Sequence, residues 1–247
     1  MTKIFWFSGT GNSLYAAKCL KDNLDNVILY PIKTGVPQEA VGGEKEKIGF
    51  VFPSYYGNLP RVVRTFIEKL EIRSGTYIFT LVSMGGLGQG SVAELESLLQ
   101  KKNLKLAYGR GILMPANYIV NYDPAVSEKC EARMKKISGK LKVISAEITS
   151  GKRCVKKIKF SARNLYKNIE SLDKGFYTED SCVKCGQCVR ICPVQNIKLD
   201  NRPEWLHHCE HCVACISNCP ARAIQYGDRT KKRRRYRNPE IKVSELI

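Results

Sequence analysis

Eight of the eleven cysteines in this 247-residue chain fall into two matched runs. The first is C-x2-C-x2-C-x3-C-P at Cys182, Cys185, Cys188, Cys192 and Pro193; the second repeats it 27 positions later at Cys209, Cys212, Cys215, Cys219 and Pro220. Thiolates spaced by three residues let one short loop wrap several corners of a metal cube, with the fourth cysteine at the start of a helical turn. One-electron chemistry at iron–sulfur clusters is what such a set can perform.

Zinc also takes four thiolates and favours C-x2-C pairs, but two separate pairs would suffice for it. The third cysteine, and the fourth with its proline, point to iron and sulfide instead. In proteins with this doubled run the fourth cysteine reaches across to the other cube. That assigns one 4Fe–4S cluster to Cys182, Cys185, Cys188 and Cys219, and a second to Cys192, Cys209, Cys212 and Cys215. Ile197 and Ile224 recur at the same offset and are expected as core beneath the clusters. His207, His208 and His211 flank the second run; with the cysteine set complete, they are expected as exposed loop residues. Cys19, Cys130 and Cys154 are scattered and take no role. Residues 180–226 resemble a two-cluster bacterial ferredoxin, which implies passage of single electrons between neighbouring clusters.

A second constellation lies near the start, where "SGTGNS" follows the apolar run "KIFWF" (3–7). A phosphate sits well at a helix N-terminus, where backbone N–H groups and the helix dipole converge. Gly9 and Gly11 permit close approach of the backbone, and Ser8, Thr10, Asn12 and Ser13 supply side-chain donors. The turn lacks the Gly-Lys-Ser/Thr ending of a triphosphate loop and the third glycine of a dinucleotide fingerprint. A hydroxyl-rich cradle without lysine suits a doubly charged monophosphate. Two later loops can serve a flat ring: "PSYYGNLP" with Pro53, Ser54, Tyr55, Tyr56, Gly57 and Asn58, and "SMGGLGQGS" with Ser83, Met84, Gly85 and Gly86. Either Tyr55 or Tyr56 is placed to stack on the ring, and "MPANY" adds Asn117 and Tyr118.

The elements that must position these groups alternate. Strand-like runs at 3–7, 26–31, 47–53, 76–83 and 106–114 are interleaved with helical patterns at 12–24, 60–70 and 91–102, with Asn12 or Ser13 as the first helix cap. The fold class is therefore α/β, a doubly wound five-stranded parallel sheet that binds ligands beyond the carboxyl ends of its strands. Residues 1 to about 125 resemble a flavodoxin, whose phosphate loop reads Ser/Thr-x-Thr-Gly-Asn-Ser/Thr, matched at Ser8, Thr10, Gly11, Asn12 and Ser13. The resemblance implies flavin mononucleotide, FMN, as cofactor. The whole chain resembles the flavodoxin–ferredoxin fusion proteins of anaerobes. The expected organisation is a flavodoxin-like FMN domain over 1–150, a basic helical linker over 151–175, a small α+β module with two 4Fe–4S clusters over 176–227, and a basic tail over 228–247.

The net charge of +18 is uneven: +4 over residues 1–127, +9 over 128–175, zero over 176–227 and +5 over 228–247. Clustered Lys and Arg can bind nucleic acid, yet no nucleic-acid fold accompanies them, so an acidic redox partner protein is favoured. The basic linker and tail are also expected to pack against the acidic cluster module and the flavin edge, holding the domains together. Without eighteen successive apolar residues or a secretory apolar region, the chain is expected to be soluble and cytoplasmic. No paired carboxylates and no Ser-His-Asp arrangement stand out, so no catalytic side chain is assigned. The expected function is electron transfer between two clusters, FMN and a redox partner; the alternative is an FMN-dependent reductase of a small molecule fed by its own clusters. The pattern does not indicate an oligomeric state.

Overall fold

The computed structural model describes residues 1–32, 37, 39–86, 90–124, 127–156 and 169–247. Five of its strands are those expected: β1 (Thr2–Trp6), β2 (Val27–Pro31), β3 (Lys47–Pro53), β4 (Tyr77–Met84) and β5 (Leu106–Leu113). All pair in parallel in the order β2-β1-β3-β4-β5, the flavodoxin-like order of a doubly wound sheet. Helices α1 (Asn12–Asn23), α2 (Arg61–Lys69), α3 (Gly90–Lys101) and α4 (Ser127–Thr149) cover both faces.

Successive strand residues point to opposite faces, and the core splits accordingly. Phe50 and Phe52 of β3 pack with Val63, Phe66 and Ile67 of α2 and Leu95, Leu98 and Leu99 of α3. Val51, between those two rings, packs on the other side with Ala16, Ala17 and Leu20 of α1 and Ile137, Leu141 and Ile144 of α4. Burying each of these large apolar side chains contributes about 1.5–3 kcal/mol. Helix α2 shows why it forms: Val63, Phe66 and Ile67 recur at helical spacing and are its buried residues.

The chain departs from expectation after α4. Gly151 takes the left-handed conformation, φ 70°, and ends the helix. Instead of continuing as a helical linker, the chain forms β6 (Cys154–Val155), a sixth strand paired with Tyr108 and Gly109 of β5. Val155 packs against the core, and Lys156 N–H bonds to the Gly109 carbonyl, so burial and edge pairing outweigh helix propensity there. Most of the expected linker, 157–168, lies outside the described residues, as does the side chain of Cys130. A 3-10 helix at Ile169–Gly175 leads into the cysteine module.

The module is built of two small antiparallel pairs and two short helices. β7 (Phe176–Thr178) pairs with β10 (Ile224–Tyr226), and β8 (Ile197–Leu199) with β9 (Pro203–Trp205). Helices α5 (Gln187–Ile191) and α6 (Ala214–Asn218) sit at equivalent places in the two copies. Ile197 and Ile224 are buried in the module core, at 4% and 1% exposure. The duplication extends to the backbone. Positive φ values occur at Lys184 and His211, at Gly186 and Val213, and at Gln195 and Arg222, each pair one repeat apart. Val213 at φ 55° is notable, because a β-branched residue is strained in the left-handed region; the first copy has glycine there.

Candidate functional site

The first cysteine set borders one common cavity, and the sulfurs of the second act on one another's charge. Cys182, Cys185, Cys188 and Cys219 line one cavity with Pro220 and Ile224. Burial pushes the Cys188 thiol up to about 11, with smaller contributions from neighbouring Cys219 and Cys185. In the other set, burial pushes Cys209 up to about 12, and Cys192 adds to that. Cys212 and Cys215 are raised well above the ordinary thiol value by burial first, then by Cys209 and Cys192. Burial thus favours the protonated thiols, and a positive metal between them would favour the thiolates. Among the described residues, no three His, Cys, Asp or Glu side chains converge closely enough to hold one metal ion. Backbone N–H groups add polarity at the sulfurs, from Asn196 to Cys192 Sγ and from His211 to Cys209 Sγ, both at 3.2 Å.

The carboxyl ends of β3 and β4, the loop after β5 and the start of α1 enclose a cleft of about 340 Å³. Pro53, Ser54, Tyr55 and Tyr56 line it from the loop after β3, and Ser83, Met84, Gly85 and Gly86 from the end of β4 and beyond. Asn117 and Tyr118 line it from the loop after β5, and Asn12 reaches it from α1. Gly57 and Asn58 do not line the cleft but shape its wall. Tyr56 and Gly57 have φ of 52° and 80°, and Asn58 closes the turn by donating its N–H to the Tyr55 carbonyl. Tyr55 packs edge-on against Phe7, whereas Tyr56 meets Tyr118 edge-on with the two hydroxyls 2.6 Å apart.

The glycine turn is placed differently from expectation. Helix α1 begins at Asn12, so its N-cap is Gly11 at φ 94°, and no side chain caps it; neither Asn12 nor Ser13 plays that part. Their side chains point elsewhere. Asn12 donates to the Pro115 carbonyl at 3.0 Å, and the Ser13 and Ser83 hydroxyls lie 2.7 Å apart. Thr10 accepts a hydrogen bond from Asn117, and Ser8 accepts from Gly11 N–H at 3.0 Å. Of the five motif residues, Asn12 alone borders the cleft; Ser8 borders a neighbouring cavity. The first-turn N–H groups of α1, which no side chain caps, are what the fold offers a phosphate. An aromatic-walled cleft beside an uncapped helix start fits FMN.

What the residue pattern did not disclose is that the cysteine module completes this cleft. His211, Cys212 and Val213 form part of its wall. His211, expected in an exposed loop, is 2% exposed, because its ring packs against Phe176, Tyr118 and Tyr226. Burial lowers its pKa to about 4, so the ring is neutral at pH 7. Burial first, then Tyr56, raises the Tyr118 phenol, and its hydroxyl lies within hydrogen-bond distance of His211 Nδ1, at 2.6 Å. His207 and His208 are exposed, as expected.

Three further contacts lock the second cysteine loop to the sheet domain. A Cβ on Gly9 would collide with the Cys212 carbonyl, so only glycine allows that approach. Glu210, 3% exposed, accepts the N–H groups of Arg61 and Val62 at 3.1 and 3.0 Å and so caps α2 from the other domain. Arg61 in turn pairs with Glu210 at 3.3 Å and donates to the Cys209 carbonyl.

The basic tail packs across the sheet domain and the cysteine module. Arg233 donates to the Ile119 and Val120 carbonyls at 2.7 and 2.8 Å. Arg235 donates to the Ile224 carbonyl and to Gln225 at 3.0 and 2.8 Å. Tyr236 and Asn238 both donate to Asn12 Oδ1, at 2.7 and 3.1 Å, and Asn238 N–H bonds to the Thr10 carbonyl.

Among the described residues, no helix is long and apolar enough to cross a membrane. No curated protein matches the chain. Two solved structures resemble it in part. One is described as a flavoprotein from Bacteroides uniformis ATCC 8492, with 19% identity and a TM-score of 0.36, covering 54% of this chain and 97% of that one. The other is an azoreductase from Bacillus anthracis str. Sterne, with 13% identity and a TM-score of 0.38, covering 60% and 100%. Residues 176–198, which hold the first cysteine run, match the family model of the 4Fe-4S binding domain, so the chain carries an iron–sulfur binding domain.

Proposed function

We propose that this chain is an electron-transfer flavoprotein in which two 4Fe–4S clusters exchange electrons with FMN. The observation that carries the reading is the shared wall: Cys212, in the second cluster's ligand set, borders the same cleft as Tyr56, Gly85 and Tyr118. When bound, FMN supplies the capacity to trade one electron with a cluster and two with a partner or substrate. The protein's own residues orient and seclude. Gly85 and Gly86 leave room for the ring, Tyr56 and Tyr118 flank it, and Asn12, held by Tyr236 and Asn238, sets the edge nearest α1. Tyr118 and His211 keep a fixed, neutral hydrogen-bonded pair beside the ring, so that no charge is buried there without a counterion.

The outer set is the entry or exit point, because Cys185 is exposed and Val183 beside it is 66% exposed. An acidic redox protein is the proposed partner, steered by exposed Lys135, Lys136, Lys140 and Lys142 of α4; its association rate should fall as salt rises. A second reading, an FMN-dependent reductase, draws on the open side of the cleft, where Tyr122 is 39% exposed. Anaerobic purification with iron, sulfide and flavin analysis, then spin-resonance spectra of the reduced protein, tests the main reading. About eight irons and one FMN per chain are expected; zinc, or no flavin after reconstitution, would sink it.

A further inference from the structure

The second cysteine loop borders the flavin cleft on one side, and a partner sulfur of the same set borders a different cavity. Between the ends of β1 and β2, helix α5 and the tail lies a space of about 390 Å³. Cys192 forms part of its wall, as Cys212 forms part of the cleft. If those two thiols ligate one cube, as the proposed function has it, that cube stands between two ligand-sized cavities.

We propose that this second cavity binds a redox-active planar aromatic anion of two or three fused rings and lets it exchange electrons with the inner cluster. The volume lies within the usual range for small-molecule sites. Its walls are flat and apolar where a ring must lie: Trp6 and Phe7 at the end of β1 and beyond, Ile32 beyond β2, Ile191 from α5 and Leu246 from the tail. Its polar groups are few and one-sided. Arg190 brings a guanidinium to the rim, held by a bond from Nη1 to the Cys185 carbonyl at 3.1 Å, and Gln195 adds an amide. Among the described residues, no carboxylate lines the cavity, so Arg190 meets an anion without a competing acidic side chain, and the ligated Cys192 sulfur is the one negative group in the wall. The position of Cys192 makes the site redox-competent and not merely adhesive. Reduction of a quinone at this site to the hydroquinone would take two electrons, which the loaded cofactors or an added reductant would supply, and two protons from water, with Cys192 holding the cluster beside the ring.

The test uses the full chain with iron, sulfide and FMN contents first verified. Anthraquinone-2-sulfonate, titrated anaerobically by calorimetry, should bind with one site per chain and without releasing FMN. Arg190→Ala and Gln195→Glu should each weaken it about tenfold, 1.4 kcal/mol, with iron and FMN contents unchanged. Added to the dithionite-reduced protein after the reductant is removed, the same compound should reoxidise the clusters, and more slowly in both variants. Non-saturable binding, displacement of FMN, wild-type affinity in both variants, or binding without cluster reoxidation would each overturn the proposal. Absence of clusters would remove the proposed function as well, whereas a loaded protein that ignores the quinone would defeat this inference alone.

Discussion

The two cysteine loops share their spacing and three left-handed backbone positions, yet they occupy opposite environments. The first presents Cys185 and Val183 to solvent. The second is pressed into the seam between module and sheet, with Cys209 and Cys215 buried, Glu210 capping α2 and His211 under aromatic rings. A repeat thus preserves the cysteine pattern and backbone turns while the surroundings differ, and under the proposed function those surroundings set what each cluster would do. Solvent near the outer set eases both partner access and added negative charge, whereas the buried set depends on fixed dipoles and nearby cations for the same stabilisation.

The largest difference between the loops should come from removing a ligand. Cys185→Ala and Cys212→Ala are each expected to lower iron content by about half, but only Cys212→Ala should also weaken FMN binding, because Cys212 borders the cleft. Iron and flavin analysis of both purified variants checks this; equal flavin loss would erase the distinction. Next in size is Glu210→Ala. It strips the cap from α2 and leaves Arg61 without its buried carboxylate, at a cost of about 2–4 kcal/mol by denaturant unfolding of the loaded protein. The corresponding residue one repeat earlier, Val183, is exposed, and Val183→Ala should cost under ~0.5 kcal/mol.

Arg235 sharpens the comparison in another way. Its guanidinium is fixed on Ile224, which lines the outer cavity, and Cys219 and Cys215, one from each set, both act on its charge. Arg235→Gln should lower the midpoint potential of both clusters, with a tenfold smaller reduced fraction at fixed poise for a ~59 mV shift, read by spin-resonance potentiometry. A shift confined to one cluster would place the charge nearer that set. The smallest effect belongs to Arg234→Gln, which breaks a solvent-exposed pair with Asp123; a change within about 0.5 kcal/mol is expected, with potentials unaltered.

Much of this arrangement was readable in advance. Cysteine spacing is set by the geometry of a cube, so the two runs disclose their chemistry without reference to neighbours. Alternating apolar runs such as "KIGFVFP" and helical spacing in "PRVVRTFIEKL" mark β3 and α2 because periodicity reflects burial on defined faces. The β6 strand was not readable: two residues carry no period, and their pairing with β5 depends on where α4 ends. His211 was misjudged because a residue inside C-x2-C can face either way until a second domain covers it.

The local code thus marked the two cysteine runs as metal-binding candidates, and it showed where strands turn into a helix start and how the charges divide along the chain. It did so because ligand spacing, turn stereochemistry and hydrophobic period are short-range properties. Docking assigned the inner and outer roles, brought Glu210 to the start of α2, and drew the arginine-rich tail onto Asn12 and Ile224. Those outcomes depend on contacts between segments as much as 226 residues apart, which no local pattern encodes.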